Sequence, residues 1–289
     1  MLSGRFAPSP TGPLHMGSLT MALASYLDIT STGGTWHLRL DDIDPPREAS
    51  HAREHILQSL AAHGLTSASP VRFQSSGQQR FTHALNELRS DTYYCSCTRS
   101  QLKGQPIYPG TCRQKNLSSQ DTALRLKLGD LPSIEISDGV FPTAKVYPAH
   151  DVGDLVILRR DGLWAYNFAT AIDDGHDFTH IFRGADLYHT TAAQVLVMNR
   201  LGLDVPSYTH MPLLCFENGD KLSKQTHAPA LDALQATNNL KAAFHYLGMN
   251  PDSRAQRSVQ EWLGWGLNAW PSHQLPEELP IYQAKPFLT

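Results

Sequence analysis

The run from Gly4 to Ser18, G-R-F-A-P-S-P-T-G-P-L-H-M-G-S, restricts what this chain can fold into more than any other stretch. It reads as a short strand, a stiff loop and the first turn of a helix. Pro8, Pro10, Gly12 and Pro13 fix backbone torsions and remove bulk, so an anion can approach the main-chain amides where the helix begins. The imidazole of His15 can donate to a phosphate oxygen, and Gly17, which has no Cβ, lets a sugar or base lie against the backbone. For an isolated H-x-G, a surface histidine in a turn would be the simpler account. Leu19, Ala22, Leu23, Tyr26 and Leu27 then recur at helical spacing until Gly33-Gly34. Strand, loop and helix together predict the opening βα unit of a nucleotide-binding α/β fold.

A chain of 289 residues is long enough for one large domain, or a domain carrying an insert, around a packed core. No apolar run is long enough to span a bilayer, and the first residues lack the charged-then-apolar order of a secretion signal, so a cytoplasmic protein without a membrane partner is expected. A formal net charge of -3 does not announce a nucleic-acid binder, and any RNA contact must rest on a local patch. Four cysteines, two of them a single residue apart, make a poor disulfide framework for this length. Cys95, Cys97 and Cys112 instead have the make-up of a metal cluster, suited to tetrahedral zinc if a fourth ligand is present. Three buried small residues would be the plain alternative. Cys215 is expected to be a buried thiol.

Trp36–Leu40 alternates as a strand and runs into Asp41, Asp42 and Asp44, at the strand end where open α/β sheets bind ligands. By themselves these acids could hold magnesium, cap the next helix or anchor an ammonium group; for Asp44 the helix cap is the simplest account. Helical patterns cover about 52–63 and 78–88. Leu124, Leu126 and Leu128 alternate within an irregular strand-like region, 117–149. Asp161-Gly162 between β-rich runs predicts a two-residue hairpin turn, with Tyr166 on the return strand and Asp173-Asp174-Gly175-His176 as a polar turn. Arg183 stands before Gly184 at a strand end, where a planar guanidinium can meet a carboxylate. Lys221 and Lys224 sit on the Gly-led polar loop 219–225. The segment 228–248 reads as helical, and Trp262, Trp265 and Trp270 fit a small helical cap.

Several of these stretches carry a family likeness. R-F-A-P-S-P-T-G-P-L-H-M-G resembles the HIGH signature of class I aminoacyl-tRNA synthetases in its glutamyl form. L-R-L-D-D-I-D resembles the L-R-I-E-D-T-D of the same enzymes, with Asp41 standing where they have Glu, one methylene shorter. I-F-R-G-A-D-L resembles their I-R-G-x-D-L, and K-L-S-K-Q resembles the KMSKS loop, with Gln225 in place of the last serine. The order is the family's, and the likeness covers the chain to about residue 230. C-x-C followed by Y-x-x-x-C resembles the zinc site of the glutamyl-queuosine tRNA(Asp) branch of that family.

The resemblance implies an α/β, Rossmann-type catalytic domain with a small zinc-binding insert, a short helical C-terminal region and no anticodon-binding domain. The expected boundaries are 1–92 and 151–230 for the two halves of the catalytic domain, 93–150 for the insert and 231–289 for the helical end. It implies ATP-dependent activation of L-glutamate and transfer of the glutamyl group to queuosine at the wobble position of tRNA(Asp). Pro8, His15, Gly17, Ser18, Lys221 and Lys224 would serve ATP and its Mg2+. Arg5, Ser9, Asp41, Tyr166 and Arg183 would hold glutamate. One structural zinc would sit on Cys95, Cys97, Tyr108 and Cys112, with His150 or water as the alternative to the phenol of Tyr108. A monomer is expected. A short glutamyl-tRNA synthetase acting on the 3′ end of tRNA(Glu), and a non-catalytic binding paralogue, share the same motifs.

Overall fold

The computed structural model describes residues 1–216, 218–222, 228–252, 254–270 and 275. In chain order come β1 (Ser3–Phe6), α1 (Met16–Ser31), β2 (Thr35–Leu40), α2 (Ala52–Ala62), β3 (Arg72–Phe73), α3 (Gln78–Glu87) and β4 (Thr92–Cys95). There follow β5 (Ala123–Leu126), β6 (Ile134–Ile136), β7 (Ala144–Val146), α4 (Pro148–Asp151), β8 (Leu155–Leu158), α5 (Tyr166–Asp177) and β9 (His180–Gly184). The chain continues through α6 (Tyr188–Arg200), β10 (Ser207–Met211), α7 (Ala236–Tyr246) and α8 (Val259–Ala269). These elements group into two compact units: residues 1–73, 180–187 and 208–289, and residues 74–179 with 188–207. None of the described helices is long and apolar enough to cross a membrane.

Among its described residues, the first unit holds a five-stranded sheet in the order β10-β9-β1-β2-β3. β1 runs parallel to both β2 and β9, and β2 runs parallel to β3. The order reverses beside β1, the switch point where α/β sheets of this kind bind ligands at the carboxyl ends of their strands. Leu19, Leu23 and Leu27 of α1 are fully buried, as their spacing predicts, and they share one core with Leu240 and Phe244 of α7 and Trp262 of α8. The indole of Trp270 meets the ring of Phe182 with centroids 6.3 Å apart.

In the second unit, β4, β5 and β8 form an antiparallel three-stranded sheet, and β6 pairs with β7. Three sequence expectations change here. The hairpin after β8 closes through a longer loop: Arg159 N–H donates to Leu163 O, and Gly162 takes φ +81 within that loop. Tyr166 then opens α5 instead of continuing a strand. Asp173 and Asp174 lie buried inside α5 and make no polar turn. Asp173 is buried because Arg80 reaches its Oδ1 at 2.6 Å and Gln74 donates to its Oδ2 at 3.0 Å, partners about a hundred residues away that local pattern does not reveal. In the first unit Asp44 makes no cap bond to the short turn Pro45–Arg47; its carboxylate accepts from Arg47 Nε at 2.5 Å. Cys215 is half-buried, with its thiol donating to Leu213 O at 3.5 Å.

Candidate active site

The stiff loop after β1 is held from three sides. Prolines offer carbonyls but no amide hydrogen, and those carbonyls are used: Pro8 O accepts from Asp41 N and Pro10 O from Ala49 N, at 3.1 and 3.0 Å. Leu14 O accepts from Leu231 N at 2.9 Å, and His15 bridges to Ala230. His15 is the N-cap of α1. Its Nδ1 accepts from Ser18 N at 3.3 Å, which leaves Nε2 as the N–H that donates to Ser18 Oγ at 3.1 Å.

Gly17 is required by the imidazole itself. A Cβ there would lie 3.2 Å from His15 Nδ1 and 3.3 Å from Cε1, so the ring would have to shift by a few tenths of an ångström. Gly17→Ala is therefore expected to lower ATP-dependent turnover roughly tenfold, since an ångström of misplacement can cost about a hundredfold. Unfolding temperature should hardly move, and unchanged kinetics would mean that the ring is not positioned for ATP.

A cavity of about 670 Å³ opens at the carboxyl ends of β1, β9 and β10. It gathers Pro8, Ser9, His15, Gly17, Ser18 and Lys221 from the sequence reading, and adds Arg47 and Asp186. Asp186 stands inside the quoted I-F-R-G-A-D-L and Arg47 three residues beyond L-R-L-D-D-I-D, but their neighbours drew the interpretation. The ammonium of Lys221 pairs with the carboxylate of Asp186. Lys224 lies outside the described residues.

Arg5, Asp41 and Arg183 are not in the cavity lining. Arg5 and Arg183 are buried in β1 and β9 and Asp41 just past the end of β2, Arg183 only 3% exposed. Arg5 pairs in register with His37, and Gly4 with His180, so the two-residue alternation of strands places Arg5, Arg39 and Arg183 on one face. Arg183 Nε donates to His210 Nε2 at 3.0 Å, and its guanidinium stands 4.9 Å from the centroid of Tyr208. Asp41 is held by Arg39, whose Nε donates to Oδ1 at 2.6 Å. Asp42 pairs with Arg53 at 3.1 Å, and Arg53 also grips Glu48 at 2.7 Å. The buried Arg39 was invisible to pattern reading because it occupies an ordinary position in an alternating strand.

Tyr166 belongs to the second unit, as does the cysteine cluster. The thiols of Cys95, Cys97 and Cys112 lie within 4.8 Å of one another, with Cys97 Sγ 3.6 Å from Cys112 Sγ. Tyr108 OH accepts from Cys95 Sγ at 3.3 Å and from Cys112 N at 3.0 Å, and lies 3.8 Å from Cys97 Sγ. His150, exposed on α4, is not part of the cluster. Tetrahedral zinc with bonds of about 2.3 Å to sulfur needs ligand edges of about 3.8 Å, so the donor set fits the ion.

Burial works to raise the Cys112 thiol, but hydrogen bonding with Tyr108, the Ser96 backbone and the two other thiols outweighs it and brings it down to about 6. Burial, together with the thiols, pushes the phenol of Tyr108 well up. Next to Cys112, Arg113 grips Asp154 through Nε and Nη2, each at 2.6 Å. Burial acts to raise Asp154; Arg113, Tyr93 and the amides of Gly129 and Leu128 overcome it and hold this carboxyl below its ordinary range.

The profile of the family described as tRNA synthetases class I (E and Q), catalytic domain, matches residues 1–247. The Glutamyl-Q tRNA(Asp) synthetase of Photobacterium profundum is 41% identical over 287 residues, covering 98% of this chain and 92% of that protein. Its counterpart in Pseudomonas aeruginosa is 41% identical over 278 residues, 94% of each chain. A glutamate tRNA ligase from Elizabethkingia meningosepticum, crystallised with its amino acid, superimposes with a TM-score of 0.68 at 26% identity over 78% of this chain. The match takes in 52% of that ligase, so the chain spans about half its length. The glutamate-tRNA synthetase of Elizabethkingia anophelis, 22% identical with a TM-score of 0.79, shares the fold. The chain belongs to the class I aminoacyl-tRNA synthetases of the glutamate and glutamine type, in the branch of the glutamyl-Q tRNA(Asp) synthetases.

Proposed function

We propose that this chain activates L-glutamate with ATP and transfers the glutamyl group to queuosine at the wobble position of tRNA(Asp). The observation that carries the reading is 41% identity, along nearly the full length of both chains, to relatives named for that reaction. In the activation step a carboxylate oxygen of glutamate attacks the α-phosphorus of ATP and pyrophosphate leaves. The substrate is its own nucleophile, so the protein contributes positioning and charge stabilisation.

His15 would turn its Nε2–H from Ser18 to a phosphate oxygen, over the N-terminus of a 16-residue helix. Arg47 and Lys221 line the same cavity and would meet the remaining phosphate charge, with Mg2+ bound through ATP. Lys224 would neutralise the charge that builds as pyrophosphate departs. Arg183, oriented by His210 and Tyr208, would present its fork to the side-chain carboxylate of glutamate. Asp41, oriented by Arg39, would accept from the α-ammonium group. Arg5 and Ser9 would complete the glutamate set in the first unit; Tyr166, assigned to glutamate by the resemblance, lies in the second unit.

Cys95, Cys97, Cys112 and Tyr108 would hold one zinc ion, closing a four-ligand structural centre with no position for substrate. Elemental analysis of protein purified without chelators is expected to find about one zinc per chain. Tyr108→Phe should weaken zinc binding by at least the roughly 10–100-fold lost when even a supporting partner of a ligand is removed. Unchanged affinity would give the fourth vertex to water.

Glutamate-dependent ATP–pyrophosphate exchange, followed by glutamyl transfer to tRNA from queuosine-replete and queuosine-lacking cells, tests the reaction. Only the replete tRNA should accept glutamate. Equal acceptance by both would return the activity to the 3′ end of a tRNA.

A further inference from the structure

Cys95, Cys97, Cys112 and Tyr108, once loaded, would set three thiolates and a phenolate around one dication, a largely buried group with a formal charge of about −2. Charge of that size away from water needs an opposite charge beside it. Arg113, next in sequence to Cys112, is not that charge, because its guanidinium is committed to Asp154 and Asp130.

Arg125 is placed for the task. On the antiparallel pair of β4 and β5, Arg125 stands opposite Tyr93, and Ala123 opposite Cys95. Strand alternation therefore puts Arg125 on the face of the sheet that carries Cys95, while Leu124 and Leu126 belong to the other face. The register of β5 against β8 shifts between Leu124 and Arg125, an irregularity of the kind that re-aims a side chain. The guanidinium comes to lie 3.7 Å from the centroid of the Tyr108 ring, with Arg125 8% and Tyr108 9% exposed. Contact this close is a cation stacked on an aromatic face.

Nothing else around Arg125 answers its charge. Nη1 donates to the backbone oxygen of Asp154 at 2.7 Å, and Nε is buried without an acceptor. The carboxylate of Asp154 is already occupied: Oδ1 takes Arg113 Nη2 and the amides of Leu128 and Gly129, and Oδ2 takes Tyr93 OH and Arg113 Nε. Among the described residues Arg125 forms no ion pair with a carboxylate. A buried cation without a carboxylate and a buried anionic centre without a cation are complementary, and here they touch.

We propose, on the zinc reading given under Proposed function, that Arg125 is the counter-ion of the metal centre and acts on it through Tyr108. A phenolate ligand spreads its charge over the ring against which the guanidinium is stacked, so Arg125 both balances the loaded centre and orients its fourth ligand. A water in that position would offer the guanidinium no such face.

Zinc affinity, measured on the full-length protein by competition with a chromophoric chelator, tests this without recourse to activity. Arg125→Gln removes the charge but keeps a donor for the Asp154 carbonyl, and should weaken zinc binding by roughly 10–100-fold. Arg125→Lys keeps the charge and should remain within about tenfold of the wild type. In a Tyr108→Phe background the same Arg125→Gln change should cost about twofold or less, the spread of independent sites, because its route to the metal is gone.

Wild-type zinc affinity in Arg125→Gln overturns the counter-ion. A loss of equal size with and without the Tyr108 hydroxyl overturns the route through the phenol. Should Arg125→Gln fail to fold, a loss well beyond about tenfold in Arg125→Lys overturns the role of charge. Wild-type protein purified without chelators and found free of zinc would overturn the metal reading itself, whereas zinc-loaded wild type beside any of the other failures counts against Arg125 alone.

Discussion

Arg183→Leu is expected to abolish the preference for glutamate over glutamine and to lower kcat/KM for glutamate by roughly two to four orders of magnitude. Truncating one partner of a buried, hydrogen-bonded charge pair costs about 2–5 kcal/mol, and the side-chain carboxylate of glutamate would be the partner left unpaired. Arg183 is buried, on a strand, with His210 Nε2 accepting from its Nε and Tyr208 beneath the guanidinium. Its direction is thus set before the substrate arrives. Leucine keeps apolar volume and removes the charge, so the fold should tolerate it apart from the donor lost to His210 Nε2, a deficit of about 1–3 kcal/mol. Thermal unfolding separates this deficit from catalysis. Exchange kinetics with both amino acids check the prediction, and a retained preference for glutamate would move the carboxylate contact to Arg5 or Arg39, on the same face of the sheet.

Lys224→Ala should lower glutamate-dependent ATP–pyrophosphate exchange by roughly a hundred- to thousandfold, the loss typical of one donor aimed at developing charge. The effect should fall on kcat. Lys221→Ala is expected to do less and to act mainly on KM for ATP, because that ammonium is half-exposed and already paired with Asp186 at the mouth of the cavity. Steady-state exchange at varied ATP distinguishes the two lysines. Wild-type exchange in Lys224→Ala would remove that residue from the chemistry.

Local chemistry in the sequence was enough to place the strand, the stiff loop and the helix start that wall the cavity of the first unit. Proline, glycine and histidine within fifteen residues specify a strand, a stiff loop and a capped helix, and the cavity lies there with Ser9, His15, Gly17 and Ser18 in its wall. The cysteine cluster was legible because thiols so close together in sequence have few other uses, and the three sulfurs do converge. What local pattern did not reveal depends on partners far along the chain. Asp173 and Asp174 look like a polar turn until Arg80 and Gln74 are brought against α5, which makes burial of Asp173 tolerable. Tyr166 looks like a strand residue because the β-rich run before it gives no sign of the helix that follows. Arg39 offers no signal at all, since its role with Asp41 exists only once the strand has ended and the chain has turned back toward it.

The carbonyls of Pro8 and Pro10 have a consequence for how tightly substrates can be held. Each is tied to an amide of the segment after β2, at Asp41 and Ala49, so the wall proposed to face the phosphates and the corner that carries Asp41 form one braced body. Ordering loops at the moment of binding costs free energy that rigid walls do not lose. On this part of the surface that entropy is given up during folding, so ATP and glutamate should find it in nearly its final shape. Freeing the Pro10–Ala49 strap, which involves no residue assigned to a substrate, should make both ligands bind more weakly.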